Sequence, residues 1–529
     1  MNKIFFFLSI AILSTSLCLS PGQTYAEAPK NVILVIGDGM GPSQLSLALL
    51  FQRYSKEKRP ESHIKPFLDK SELGWMLPTP YNGLVIDSAC AITEISSGVE
   101  ARSESLGLDY SGNQVKTVLE YAREHGKSTG LISDTRITHA TPAGFVAKVP
   151  QRSNESKIAE QLIESGTEVL LSGGLGQFIP RDLNNKDAPG RLALSALIGS
   201  QFNIQSDRTD NRDLLKEAQH AGYQLITSRQ QLLQPNSGKI LGLFSISGMP
   251  DAIRADLEAA DPNSTLPTLA EMTRKGIDTL SADPDGFFLM VEAGQIDWAS
   301  HSNDTGTLLH EMMRLESVLG EIARWVEGRD DTLVILTADH ETGAFGLSYS
   351  AAGVPSPTTV KNAAGLEVTF APQYNFGNPR TLDRIYAQKQ AFYPLAKEFM
   401  ALPLWKRRPE RLADLIRERT GFQITAEQSQ MILSSEKNPY FRPGVAGLSA
   451  KTWPKINDFS AFYPDADGRL AALIGRALAS EQGVVWGSGS HTASPVIVAA
   501  QGPERYTARF RGFYSAVELG KKLISLYTE

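Results

Sequence analysis

The chain has 529 residues, 42% hydrophobic and 21% charged, with a formal net charge of −6. This is an ordinary globular composition with enough chain for a large core, in one big domain or two. The mild acidity gives no support for nucleic-acid binding through a basic surface.

The first segment reads as an address, not as part of the fold. Lys3 precedes an apolar run over 4–13 with a Ser/Thr/Leu extension to Leu19, followed by small-residue sites ending at Ala26 and Ala28. That is the pattern of a secretory signal peptide, taken here as residues 1–26, and the run is too short to span a bilayer comfortably. The expectation is an exported, periplasmic or secreted chain over 27–529. Removal of the leader and Cys18 leaves Cys90 as the only cysteine, so the mature chain can form no intrachain disulfide. No later apolar run approaches about 18 residues, so no membrane association is expected.

Residues 31–37, NVILVIG, predict the first strand. It runs into Asp38-Gly39-Met40-Gly41, a tight turn where backbone comes close to something. Asp38 can be a helix N-cap there, or a metal ligand at a strand's carboxyl end. Residues 83–86, GLVI, predict a short strand leading to Asp87-Ser88-Ala89-Cys90 and a helical pattern. Ser88 is then either a cap or an oxygen nucleophile at a helix N-terminus, where the dipole favours an anion. Two positions on, Cys90 reads as a small buried apolar residue. Glu94 puts an acid one turn into that helix, where a small apolar residue is expected.

A strand over 128–134 leads to His139-Ala140-Thr141-Pro142 and on to Arg152, whose planar fork suits two phosphate oxygens. From 155 to 280 helical patterns (157–165, 212–220, 267–280) alternate with strands (168–172, 222–227, 240–244). The run Phe287-Phe288-Leu289-Met290-Val291 reads as a fully buried strand. It turns polar at Glu292, Asp297 and His301. Asp297 and His301 are four apart, so on a helical turn they share one face and can hold one ion. A helix over 306–328 and a strand over 332–337 bring a second acid–imidazole pair, Asp339-His340.

Residues 350–450 differ from both flanks and read as an insertion, with helical pieces at 381–400, 409–419 and 425–434. Gly487-Ser488-Gly489-Ser490-His491, a strand over 495–500 and a helix over 514–527 close the chain. The alternation predicts a three-layer α/β/α sandwich around a mostly parallel sheet. Strand ends at Asp38, Ser88, Glu292 and Asp339 are expected to share one edge. His63, His125, His220 and His310 have no motif partners and default to surface or satisfied core positions.

Six motifs in order, IGDGMG at 36–41, DSAC at 87–90, HATPAGFVAKVPQR at 139–152, VEAGQIDWASH at 291–301, TADHETG at 337–343 and GSGSH at 487–491, resemble the alkaline phosphatase family. The long insertion, with Trp298 and His139, is most similar to its marine bacterial branch. The resemblance implies hydrolysis of phosphate monoesters through a phosphoserine at Ser88. It implies a zinc ion held by Asp297, His301 and His491, and a second by Asp38, Asp339 and His340. A magnesium ion would bridge from Asp38 to Thr141 and Glu292, and Arg152 would clamp the phosphate. A histidine at 139, near the third ion, could also admit zinc there. The resemblance further implies a homodimer, and the aromatic and apolar residues of the insertion (Tyr374, Phe376, Tyr386, Phe392, Tyr393, Phe399, Leu404, Trp405), with Arg407, Arg408 and Arg411 close by, suit a subunit interface.

Two rivals follow from the same residues. A phosphodiesterase of the same superfamily would need room for a second ester group where Arg152 is expected. A non-catalytic exported zinc- or phosphate-binding protein would keep the metal ligands but have no use for Ser88. A sulfatase is disfavoured, because Ser88-Ala89-Cys90-Ala91-Ile92 lacks the Cys/Ser-x-Pro-x-Arg motif.

Overall fold

Ten strands form one sheet through the centre of the computed structural model. The structure describes residues 28–528 except 57–60, 237, 446–447 and 457–467. The expected signal peptide and Cys18 lie outside the described residues. In chain order the strands are β1 (Asn31–Gly37), β2 (Glu72–Leu77), β3 (Ser128–Arg136), β4 (Val169–Gly173), β5 (Tyr223–Ile226), β6 (Lys239–Leu243), β7 (Phe287–Ala293), β8 (Thr332–Thr337), β9 (Val496–Gln501) and β10 (Gly512–Ser515). Across the sheet they lie in the order β10-β2-β9-β8-β1-β7-β3-β4-β6-β5. Strand β9 is antiparallel to both its neighbours, and every other pairing is parallel.

Helices cover both sides of this sheet, as the alternating sequence predicts. Helices Leu269–Leu280 and Thr305–Val326 pack on one another and on β7; helices Ser88–Ser97, Val118–Glu124 and Ala516–Thr528 form a second group. Strands β1, β7 and β8 are buried at every residue. Covered on two faces, they need continuous apolar runs and not alternation. Among the described residues no helix is long and apolar enough to cross a membrane.

Three local expectations change. Residues 83–86 are not a strand: Leu84 is 84% exposed and Val85 46%. Their place in the sheet is taken by β2, which was not foreseen because Leu73 and Trp75 are exposed and break its apolar signature. The final helix begins at Ala516, the residues before it forming β10. The helix expected over 381–400 is two, Arg380–Tyr386 and Phe392–Met400, separated by a turn over 387–391.

The insertion is itself composite. A hairpin, Thr358–Lys361 with Glu367–Phe370, is exposed along both strands. The helices that follow bury Phe392, Phe399, Leu412 and Leu415 and pack against helices Thr305–Val326 and Arg469–Gln482. Phe392 and Phe399 are therefore core residues of this subunit, not exposed aromatics. Tyr374, Phe376, Leu404 and Trp405 are exposed as expected.

Candidate active site

Strand register assembles the site. Ile36 of β1 lies beside Glu292 of β7 on one side and Thr337 of β8 on the other, so Asp38, Glu292 and Asp339 meet at one carboxyl edge. That edge is where open α/β sheets bind ligands. Glu292 sits inside β7, one residue before its end. Gly39 has a φ of +73°, and a Cβ there would lie 2.8 Å from the Asp297 Cα. Only glycine allows this turn to press against helix Gln295–His301. The Gly39 N–H also donates to Asp339 Oδ1 at 3.2 Å.

Among the described residues three groups of ligand-type side chains result, each with its donor atoms within 4.8 Å of one another: Asp297, His301 and His491; Asp38, Asp339 and His340; and Asp38, His139 and Glu292. The first needs the chain to return over a long distance. A short antiparallel pairing of His491–Thr492 with Glu341–Thr342 brings His491 in. Its Nε2 then lies 3.1 Å from His301 Nε2 and 3.6 Å from Asp297 Oδ1.

The imidazoles are oriented as metal ligands are. His301 Nδ1 is 2.7 Å from the Gly489 carbonyl and His491 Nδ1 is 2.9 Å from that of Ile86. A carbonyl can only accept, so both protons sit on Nδ1 and both Nε2 lone pairs face inward. His340 Nδ1 lies 3.3 Å from the Thr342 hydroxyl, which itself donates to Asp297 Oδ1 at 2.6 Å. That hydroxyl accepts from His340, so Nε2 is again the unprotonated atom. It lies 3.2 Å from Asp339 Oδ2 and 3.6 Å from Asp38 Oδ1.

Buried atoms without hydrogen-bond partners mark the same places: Asp38 Oδ1, Asp339 Oδ2, Glu292 Oε1 and His139 Nδ1. Burial pushes Asp38 well above the usual carboxylate range, with Asp339, Asp297 and Glu292 adding to the shift. Burial likewise raises Asp339 and Glu292 to about 7 each. Asp297 differs: burial works against its charge, but positive charge on the neighbouring imidazoles of His301, His491 and His340, whenever they are protonated, pulls it well below the normal range. Burial depresses His340 and brings His491 down to about 4, which keeps them neutral. Crowded carboxylates, neutral imidazoles and inward lone pairs fit cations, and the aspartate–histidine mixture suits a borderline ion such as zinc.

The third group sets His139, expected near the third ion, beside Asp38 and Glu292. Thr141 is close by, its hydroxyl donating to Asp38 Oδ2 at 3.1 Å. The hydroxyls of Ser133 and Thr135 donate to Glu292 Oε2. Trp298 meets the His139 ring edge-on at 5.8 Å, and the Arg136 guanidinium stands 5.7 Å from the Trp298 ring centre.

Ser88 opens helix Ser88–Ser97 as foreseen, although it enters from a loop. Its Oγ lies 3.2 Å from His340 Nε2. Asp87 is the N-cap, accepting from the Ala89 N–H at 3.0 Å and the Cys90 N–H at 3.4 Å. Those donors are therefore engaged by the chain itself. Arg152 is held by Asp87 at 3.1 Å and by His139 Nε2 at 3.1 Å. The tethering by Asp87 and His139 was not read from the sequence; the spacing from 87 to 152 carries no local signal for it. Glu94 is buried, accepts from the Ala101 N–H at 3.2 Å and is raised by burial to about 8. Cys90 is buried beside it, as expected. His310 is a satisfied core residue, stacked on Tyr386 and bonded to its carbonyl at 2.8 Å.

Fold and site together define an α/β protein that carries a serine among three metal-ligand groups at one sheet edge. The chain belongs to the alkaline phosphatase family, whose model matches residues 29–408. His491 lies beyond that match and joins the site only through the fold. Alkaline phosphatase 3 of Bacillus subtilis is 35% identical over 327 residues, 60% of this chain and 62% of that protein. The repressible alkaline phosphatase of Saccharomyces cerevisiae is 31% identical over 342 residues, 61% of this chain and 56% of that protein. The chain thus spans less than two thirds of the length of these two curated relatives. The Thermus thermophilus alkaline phosphatase structure is similar in fold, with a TM-score of 0.72 at 24% identity, covering 95% of this chain and 92% of that one. The cold-active enzyme from Shewanella gives 0.66 at 21%, covering 94% and 100%.

Proposed function

We propose that this chain hydrolyses phosphate monoesters through a phosphoserine at Ser88. The observation that carries the reading is the placement of Ser88 Oγ 3.2 Å from His340 Nε2, with three ligand groups around it and Arg152 alongside. A pure metal- or phosphate-binding protein has no need of that hydroxyl.

Asp297, His301 and His491 would hold one zinc, and Asp38, Asp339 and His340 a second. The oxygens of Asp38, Glu292 and Thr141 would hold magnesium, with His139 at its border. When bound, such ions supply the positive charge that favours a serine alkoxide, draws charge off the departing ester oxygen and lowers the pKa of water. Ser88 Oγ attacks phosphorus, the bond from phosphorus to the ester oxygen breaks, and the alcohol leaves. Water then attacks the phosphoserine, the P–Oγ bond breaks and inorganic phosphate is released. Two in-line displacements give net retention at phosphorus. The His301 side chain is 32% exposed while that of His340 is fully buried, which supports departure on the His301 side and the nucleophile on the other.

Arg152 orients the phosphate. Its bonds to Asp87 and His139 fix the guanidinium plane, and the remaining N–H donors can take non-bridging oxygens. Arg152→Lys keeps the charge and loses the fork, so phosphate inhibition and substrate affinity should both weaken about tenfold or more, the worth of one charge-assisted hydrogen bond. Hydrolysis should remain measurable. Unchanged inhibition by phosphate would remove Arg152 from the phosphate site. The reaction class is tested by comparing p-nitrophenyl phosphate with bis-p-nitrophenyl phosphate on one preparation. Preference for the diester would favour a phosphodiesterase, and no turnover of either would favour a binding protein.

The same reading includes an exported homodimer. The hairpin Thr358–Lys361 with Glu367–Phe370 exposes Val360, Val368 and Phe370, and an isolated two-stranded hairpin is marginal in water. Packing on a second copy would cover it. Replacing 356–372 by a short Gly/Ser linker leaves the insertion's buried helices in place and should give monomers by light scattering. A variant that stays dimeric moves the interface elsewhere. Cleavage near Ala26 is checked by the mass of the exported protein.

A further inference from the structure

The insertion contains none of the ligand residues, yet it is bonded directly to the segment that carries one ligand set. Helix Gln295–His301 ends at Ser302, and the long helix starts at Thr305. Asn303 and Asp304 form the joint between them.

Asn303 has a φ of +48° and faces the loop of His491: its Nδ2 donates to the Ser488 carbonyl at 2.8 Å and to Ser300 O at 2.9 Å. Next to it, the Asp304 N–H donates to Ala299 O at 3.0 Å. The Asp304 carboxylate is buried and divides its acceptors. Toward its own helix it takes the Thr307 N–H at 3.0 Å and the Thr307 hydroxyl at 2.8 Å. Toward the insertion it takes Gln388 Nε2 at 2.8 Å and the Phe392 N–H at 2.7 Å.

The first pair is an ordinary N-cap. The second is not required to start a helix, and it comes from the turn over 387–391 that splits the two insertion helices. Phe392 is fully buried, so this turn is anchored in the core. The joint therefore cannot shift without dragging either the insertion or the His491 loop.

We propose that Asn303, Asp304 and Gln388 are positioning residues that set the geometry of the Asp297–His301–His491 group, with the insertion acting as its brace. This rests on the reading that the group binds a metal. Partners outside the ligand shell typically alter metal affinity by about 10–100-fold. Losing Gln388 Nε2 removes the insertion's side-chain bond to Asp304, with weaker contacts to the Thr307 hydroxyl at 3.4 Å and the Gln390 carbonyl at 3.1 Å, and leaves both Thr307 bonds to Asp304 in place.

The test is zinc binding by the full-length chain, measured by dialysis against buffered free zinc and by ion count per chain. Gln388→Ala and the similarly sized Gln388→Met should each weaken one zinc by about tenfold. The remaining ions should stay, and circular dichroism should be unchanged. Asn303→Gly, which accepts the positive φ but lacks the amide, should weaken the same ion. If the variants only melt earlier and bind all ions as the wild type does, the role is structural and the inference falls alone. A wild-type chain that takes up no zinc overturns the metal reading and the inference with it.

Discussion

Ser88→Ala is expected to lower turnover of p-nitrophenyl phosphate by about three orders of magnitude or more, the scale seen when a nucleophile is deleted from a working site. The side chain removed is one hydroxyl that is 2% exposed and bonded to His340 Nε2. The cap of its helix is Asp87, which stays. Fold and metal content should thus be nearly those of the wild type, and metal analysis on the same sample checks this. No phosphate label should remain on the acid-quenched variant after reaction with labelled substrate. Near-full activity would remove covalent catalysis from the account.

Stripping metals should abolish activity altogether. The proposed chemistry places a nucleophile against a doubly charged ester at a site that already holds the buried carboxyl groups of Asp38, Glu292, Asp297 and Asp339. Arg152 cannot balance them alone, because Asp87 shares its charge. Chelation should therefore leave no measurable turnover, and zinc with magnesium should restore it. The purified protein should carry three ions per chain by elemental analysis, in the proportion of two zinc to one magnesium. His491→Ala deletes one of three protein ligands and should empty one zinc site selectively, with partial rescue by excess zinc. An exhaustively chelated, verified metal-free chain that remains fully active would contradict the mechanism. A count of three zinc ions would assign the third group to zinc.

Much of this was visible in one dimension because the local signals are strong. Buried parallel strands need continuous apolar runs, so 31–37, 287–291 and 332–337 declare themselves. The carboxylates that follow them, and the four-residue spacing of Asp297 and His301, are local facts. So is the serine at a helix start. Strand β2, second from the end of the sheet between β10 and β9, has no continuous apolar run, because Leu73 and Trp75 lie on an open face. Residues 83–86 misled for the converse reason: a short apolar run in a loop has the composition of a strand without a neighbour to pair with.

What local order could not decide is which distant groups share a bond. His491 reaches Asp297 through a two-residue pairing with Glu341–Thr342. Arg152 is aimed by Asp87 and His139, and Asp304 is shared between a helix cap and the insertion. Each of these depends on strand register and on the directions of side chains from different elements. Periodicity and spacing report the conformation of a segment, whereas such contacts follow from how the segments are stacked, and only the tertiary structure holds that information.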